Sequence, residues 1–181
     1  MKLFIFSDIH GIVSNLEILK ESIEKEQPNK IIVLGDLYYT GPTYNGNAEV
    51  SSFKVHEFLQ SLGNKLVAVK GNCDSPVDEK ASDFLMCGSL MPVFDGDVEL
   101  IFTHGNEYSL KKNSKVSSGC VLVYGHEHIP YVKHENDSTF VCVGSVSLPK
   151  EDNPPTYAIY ENKYICIKSL LSGDVLMETD V

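Results

Sequence analysis

Apolar and polar positions alternate between two periods along this chain, and the switches mark its elements. Residues 2–7 form an apolar run of strand type. They are followed by Gly11 and then by Leu16, Leu19 and Ile23 at helical spacing. Ser14 and Glu17 have the spacing of a capping box, so a helix is expected to start there, run to about Glu26 and stop before Pro28. Ile31 to Leu34 read as a buried parallel strand, and the Gly-, Pro-, Asn- and Tyr-rich segment 38–47 as a loop. Val55, Phe58, Leu59 and Leu62 make a second helical stripe, closed by Gly63, ahead of the strand-like run Leu66 to Val69. Beyond Asn72 the rhythm changes. Asp95-Gly96 between apolar stretches favours a hairpin over a further crossover helix, and strands are expected at 120–124, 139–146, 156–160 and 163–170, the last two joined tightly through Glu161-Asn162-Lys163. The pattern predicts one domain over residues 1–181, an α/β fold with two mixed sheets, helices outside and an antiparallel C-terminal part.

Five of the apolar runs end in residues that bind metals: FIFSDIH (4–10), IIVLGD (31–36), LVAVKGN (66–72), LIFTHG (100–105) and VLVYGHEH (121–128). Strands that deliver such residues to one rim of a sheet are how an α/β scaffold gathers a polar cluster. Asp8 and His10 lie two apart, so strand alternation would point both the same way if the extended conformation persisted, and His126 and His128 repeat that spacing. With Asp36, Asn72 and His104 the set holds two carboxylates, four imidazoles and one amide. Mixed oxygen and nitrogen donors without thiolate suit Mn, Fe, Zn or similar divalent ions and are too nitrogen-rich for a dedicated calcium site. Seven donors exceed one tetrahedral shell, so two ions sharing a carboxylate are expected, an arrangement that can clamp a phosphoryl group during in-line displacement.

Charge and cysteine content narrow the partners. A formal net charge of -10 disfavours nonspecific binding to nucleic acid or anionic membrane. Two divalent ions, two Asp and one hydroxide would nevertheless leave about +1 at the site, enough to attract an anionic phosphoester. Five scattered cysteines without a CxxC pair suggest neither a disulfide framework nor a zinc knuckle. The few apolar residues before Asp8 are too short for a signal peptide and no run approaches a membrane span, so a cytoplasmic protein is expected.

The blocks SDIHG, LGD, GNCD, THG and GHEH, in that order, resemble the calcineurin-like metallophosphoesterase family, whose pattern is DxH, GD, GNH[DE], a lone His and GHxH. GNCD, VYGHEHIP and GSVSLPK are similar to the small YfcE-type phosphodiesterases, and the likeness spans Lys2 to about Tyr160. It implies a four-layer αββα sandwich. It also implies one metal held by Asp8, His10, Asp36 and His128 and a second by Asp36, Asn72, His104 and His126, with Asp36 bridging and a shared hydroxide attacking phosphorus. Asp36, Asn72 and His104 would take part in catalysis, and Asn72 and Cys73 would meet a small-molecule phosphoester. Mn is the metal expected first, with Ni, Zn, Fe or Mg as alternatives, and a homo-oligomer is left open.

One block departs from the pattern. The family has His after GN where this chain has Cys73, and a thiol with an ordinary pKa near 8.5 is a poor general acid, so fast turnover is expected only for esters with good leaving groups. The rival reading is a non-catalytic scaffold or phospho-ligand-binding module on the same fold, as in the retromer sorting subunit. Against it, all seven ligand positions are filled. His56 on the second helix and His134 in a charged loop read as solvent-exposed, Ser145 as a backbone-positioning residue, and the tyrosines at 38, 39 and 44 as either pocket wall or loop packing.

Overall fold

In the computed structural model, which describes residues 1–42, 44–112 and 118–181, two mixed sheets lie face to face. The first unit follows the predicted order: β1 (Lys2–Phe6), α1 (Leu16–Glu26), β2 (Lys30–Val33), α2 (Ser52–Ser61) and β3 (Leu66–Val69). These three strands are parallel, and a short helix, α3 (Pro76–Ala81), carries the chain to a fourth, β4 (Leu85–Cys87). The hairpin predicted at Asp95-Gly96 joins β5 (Leu90–Asp95) to β6 (Val98–Thr103). There follow β7 (Val121–Tyr124), β8 (Pro130–Glu135), β9 (Ser138–Val143), β10 (Thr156–Glu161), β11 (Tyr164–Ser169) and β12 (Val175–Asp180). One sheet runs β12-β11-β10-β1-β2-β3-β4 and the other β5-β6-β7-β9-β8. Segment 38–47, apart from residue 43, which lies outside the described residues, holds no helix or strand, as expected of a loop.

Period-2 alternation explains the layers. Leu3 and Ile5 of β1 face between the sheets, where Ile32, Val69, Leu100, Phe102, Val121, Val123, Val141 and Val143 meet them. Phe4 and Phe6 point the other way, onto the stripe Leu16, Leu19 and Ile23 of α1 and Val55, Phe58 and Leu59 of α2. On the outer face of the second sheet, Ile101, Leu122, Tyr124 and Phe140 are covered by Tyr108 and Leu110, where the described residues form a 3-10 turn (Leu110–Lys112). The α/β fold class therefore holds, with its α-helices concentrated on the first sheet.

Some local expectations are overturned. No capping box starts α1: its N-cap is Asn15, whose Nδ2 donates 2.7 Å to the carbonyl of Val146 and so ties the helix to a distant loop. The capping box forms instead at Ser75 with Asp78, opening α3, which the sequence reading did not include. β4, β8 and β12 were also not anticipated, and His134, exposed as expected, sits in β8 rather than a loop, hydrogen-bonded to Thr139. His56 lies on α2 as expected but is half-buried rather than exposed, its ring 3.4 Å from the Tyr38 hydroxyl. The tight C-terminal connection is a two-residue turn, with Asn162 (φ 53) and Lys163 (φ 61) both left-handed. Among the described residues no helix is long and apolar enough to cross a membrane.

Candidate metal centre

The loops that leave β1, β2, β3, β6 and β7 meet at the same ends of the two sheets and bring all seven candidate residues to one rim. They do so by leaving the extended conformation. β1 ends at Phe6, and Asp8 (φ 60) and His10 (φ 53) are left-handed, so strand alternation does not aim them. Asp36 (φ 55), His126 (φ 62) and His128 (φ 62) share that conformation. Twelve non-glycine residues among those described have positive φ; the other seven lie in turns or end a helix, so five of the twelve fall in this cluster. Each such residue costs of order 1–3 kcal/mol and persists only where its surroundings hold it.

The holding groups are visible. The first two loops run side by side, with the N–H groups of Asp8, His10 and Gly11 donating to the carbonyls of Gly35, Asp36 and Leu37 at 3.1, 2.9 and 2.9 Å. Asp74 was not singled out by the sequence reading. Its buried carboxylate accepts three backbone N–H bonds, Oδ2 from Asp36 and Gly71 and Oδ1 from Leu37, each 2.8 Å. The Asp of GNCD was its only signal, because a residue that serves backbone groups leaves no periodic trace. Ser145 does what was expected: its hydroxyl donates 2.8 Å to the carbonyl of Asp8 and accepts from the N–H groups of Ser147 and Leu148. Close approach requires glycine at two points. A Cβ on Gly71 would overlap the Asp36 carboxylate, and one on Gly125 would overlap Ser7 Oγ and Asp8 Oδ2.

Within this frame the donors converge in two groups. Asp8 Oδ1 lies 3.2 Å from His128 Nε2 and 3.5 Å from His10 Nε2, and those two nitrogens are 3.3 Å apart. Asp36 Oδ2 lies 3.3 Å from His104 Nε2 and 3.6 Å from His10 Nε2. His104 Nε2 is in turn 3.0 Å from Asn72 Oδ1 and 3.1 Å from His126 Nδ1. Asp36 therefore faces both groups. Asn72 is exposed at the rim, whereas Asp8 and His104 are fully buried.

Ring orientation gives these distances their meaning. The Nδ1 atoms of His10, His104 and His128 lie 2.7, 2.7 and 2.6 Å from the carbonyl oxygens of Tyr39, Leu34 and Leu148. A carbonyl only accepts, so each Nδ1 carries the proton and each Nε2 turns a lone pair inward. Asp8 Oδ1 is correspondingly buried without a hydrogen-bond donor, although two imidazole nitrogens lie within ion-pair distance of it. Acceptors converging on one point need a positive species between them, and the donor set, oxygen and imidazole without an ionised thiol, fits a divalent cation.

A proton fills that role when no metal does. Burial pushes the His104 ring down, but its bond to Asp36 and the charges of Asp8 and Asp36 outweigh burial and raise its pKa to about 9. The same balance raises His10. Burial pushes Asp8 and Asp36 up, yet their imidazole partners hold both carboxyls below the usual range. His126 is pushed down, by burial and by the charge of His104. Cys73 donates its N–H to Asp36 Oδ1 at 2.8 Å, and burial with the charges of Asp36 and Asp74 pushes its thiol up to about 12. Tyr38 is buried loop packing, its hydroxyl on Ser82 at 3.0 Å; Tyr39 contributes its carbonyl to His10, and the Tyr44 hydroxyl accepts from Ala48 N–H.

Two sheets that pool carboxylates, imidazoles and an amide at a shared rim define a class of protein whose site could hold divalent cations. Residues 1–164 match the calcineurin-like phosphoesterase superfamily domain, and the chain belongs to that family. It is 30% identical over 181 residues to the phosphodiesterase YfcE of Escherichia coli, covering 100% of this chain and 98% of that protein. The solved structure of the E. coli phosphoesterase Yfce superposes with a TM-score of 0.93 at 30% identity, over 99% of each chain. The fold also matches zinc-complexed Vps29 of Entamoeba histolytica, with a TM-score of 0.65 at 16% identity over 99% of each chain. The reading of the chain as a phosphoesterase enzyme stands.

Proposed function

We propose that this chain is a dinuclear metal-dependent phosphodiesterase. Asp8, His10, Asp36 and His128 would hold one ion and Asp36, Asn72, His104 and His126 the other, with Asp36 shared. The observation that carries the reading is the convergence of imidazole Nε2 atoms and carboxylate oxygens on shared points, the Nδ1 protons of His10, His104 and His128 being taken up by backbone carbonyls, with Asp8 Oδ1 left without a donor. Manganese is the expected metal, with Ni, Zn, Fe and Mg as alternatives. Bound there, the ions supply Lewis-acid polarisation of the phosphoryl oxygens and a water-derived nucleophile at neutral pH.

The chain's own residues bind and orient. Asn72 presents an exposed amide at the rim, suited to fixing a phosphate oxygen. His104, its Nδ1 proton tied to Leu34, cannot rotate away from Asp36 without losing a buried hydrogen bond. Hydrolysis of a diester gives a monoester and an alcohol, and the departing alkoxide needs a proton. Cys73 is the side chain beside Asn72, and a thiol is a weak hydrogen-bond donor and a poor stand-in for an imidazole as general acid, so esters with good leaving groups are favoured. The net charge of -10 argues for a small phosphoester rather than nucleic acid, and the five free cysteines suit a reducing, cytoplasmic setting. The name of the E. coli relative supports the diesterase assignment.

The likeness in fold to Vps29 keeps a non-catalytic scaffold as the second reading. Hydrolysis of an activated aryl phosphodiester separates the two. Metal-stripped protein should be inactive, regain turnover with Mn, Ni, Zn or Mg, and lose it about 100-fold or more in Asp36→Asn. Absence of metal-dependent turnover, or a variant as active as the parent, would remove the enzyme reading.

A further inference from the structure

Beside the candidate metal centre a cavity of about 390 Å³ opens against His126 and is lined by Lys111, Lys112, Lys150, Glu127 and Ile129 among others. Its charge is opposite to that of the protein, three lysines against one glutamate on a chain of net charge -10. The one acid is already engaged: Glu127 Oε2 pairs with Lys111 at 2.9 Å, and its Oε1 accepts from the Tyr131 hydroxyl at 3.0 Å. Lys112 donates 2.6 Å to the carbonyl of Asn106, which leaves its charge uncompensated, and among the described residues neither Lys112 nor Lys150 has a carboxylate within ion-pair distance.

The lysine side chains are exposed, but the backbone that carries them is fixed. Tyr124 and Tyr131 bond hydroxyl to hydroxyl, the Leu110 N–H donates 3.1 Å to Tyr124, and so the segment bearing Lys111 and Lys112 is pinned to β7 and β8. Lys150 is tied through its N–H to the carbonyl of His128 at 3.1 Å. Both basic walls are therefore anchored to the GHEH loop that supplies His126 and His128.

We propose that this cavity is a subsite for a second anionic group, a phosphate or carboxylate, on one arm of the phosphodiester, held by Lys112 and Lys150 while the scissile phosphate sits at the metal centre. His126, which faces His104 on one side and lines the cavity on the other, places the two positions next to each other. The substrate class narrows from any small phosphodiester to one carrying an additional negative charge beyond the reacting phosphorus. This assignment rests on the phosphodiesterase reading above, and its test separates the two.

The Mn-loaded protein is assayed with phenyl p-nitrophenyl phosphate and with its counterparts bearing a carboxylate or a phosphate on the phenyl ring. The parent should prefer at least one charged ester, which also tells which anion the site takes. The ratio of kcat/KM for that charged ester over the neutral one should fall about tenfold in Lys112→Gln/Lys150→Gln and hold in Lys20→Gln/Lys25→Gln on the exposed face of α1. A parent without preference, or a ratio untouched by the cavity variant, overturns the subsite. The second measurement needs no turnover: calorimetric titration of metal-stripped protein with inorganic phosphate at low salt. Binding should weaken about tenfold in the cavity variant, and equal binding in both proteins overturns the proposal. Absence of any turnover together with lysine-dependent phosphate binding would instead overturn the enzyme reading and leave the anion site standing.

Discussion

Replacing Asp74 by Asn tests whether the left-handed backbone at Asp36 is held by this one carboxylate. The change keeps size and shape but removes an acceptor. An aspartate serves three N–H groups at 2.8 Å each, whereas an asparagine in either orientation turns its NH₂ toward at least one of them. The least disruptive orientation keeps the two bonds to Asp36 and Gly71 and sets a donor against Leu37 N–H. Losing one charge-assisted bond and leaving a buried donor unsatisfied costs about 2–4 kcal/mol, or roughly 4–16 °C in Tm for a chain of this size. Because Asp36 directly precedes the disrupted Leu37 N–H, affinity for Mn should fall about 10- to 100-fold. Thermal denaturation of the metal-free protein and a calorimetric Mn titration read the two effects separately. A variant that melts with the parent and binds Mn as tightly would refute the claim that Asp74 holds the centre together.

Gly125→Ala should lose about 2–4 kcal/mol and most of its metal affinity, since the added methyl overlaps Ser7 Oγ and the Asp8 carboxylate, while Gly88→Ala, which meets nothing within 4 Å, should stay within about 0.5 kcal/mol by chemical denaturation. In the metal-free protein His104 is raised to about 9, so the stabilisation from its pairing is complete below its unfolded pKa of about 6.5 and is lost as pH rises toward 9, whereas the share from the depressed Asp36 is present above about pH 4 and lost on acidification. The metal-free Tm should therefore decline between pH 6.5 and 9 while Mn affinity climbs as the proton leaves; a flat metal-free Tm over that interval would contradict the pairing. Cys73→His should raise the rate on an unactivated alkyl diester about 100-fold relative to an activated aryl diester, and an unchanged ratio of the two rates would mean that the thiol is not what limits leaving-group departure.

Much of this architecture was legible because it rests on periodicity. Leu3 and Ile5 alternate with Phe4 and Phe6, and the stripes of α1 and α2 have helical spacing, so both the elements and their buried faces follow from the residues. The seven rim residues were legible for a related reason: each ends an apolar run, and their donor types converge on one chemistry. What stayed hidden has no period. The left-handed conformation of Asp8, His10, Asp36, His126 and His128 is imposed by neighbouring loops, so strand alternation suggested the right cluster for the wrong geometric reason. Ser14 has the spacing of a capping box with Glu17, but the tertiary bond from Asn15 to Val146 accompanies an N-cap at Asn15 instead, whereas Ser75, which was not anticipated, closes a box locally with Asp78. β12 escaped notice because it is an edge strand with exposed and half-buried positions intermixed.

The number of metal ions bound per chain tests the central claim most directly. Metal-stripped protein, titrated with Mn and assayed for bound metal after equilibrium dialysis, should take up two equivalents, and Asp36→Asn, which would remove a ligand from both proposed positions, should retain one at most. A parent that saturates at a single equivalent, or an Asp36→Asn variant that still binds two, would contradict a centre in which two ions share Asp36.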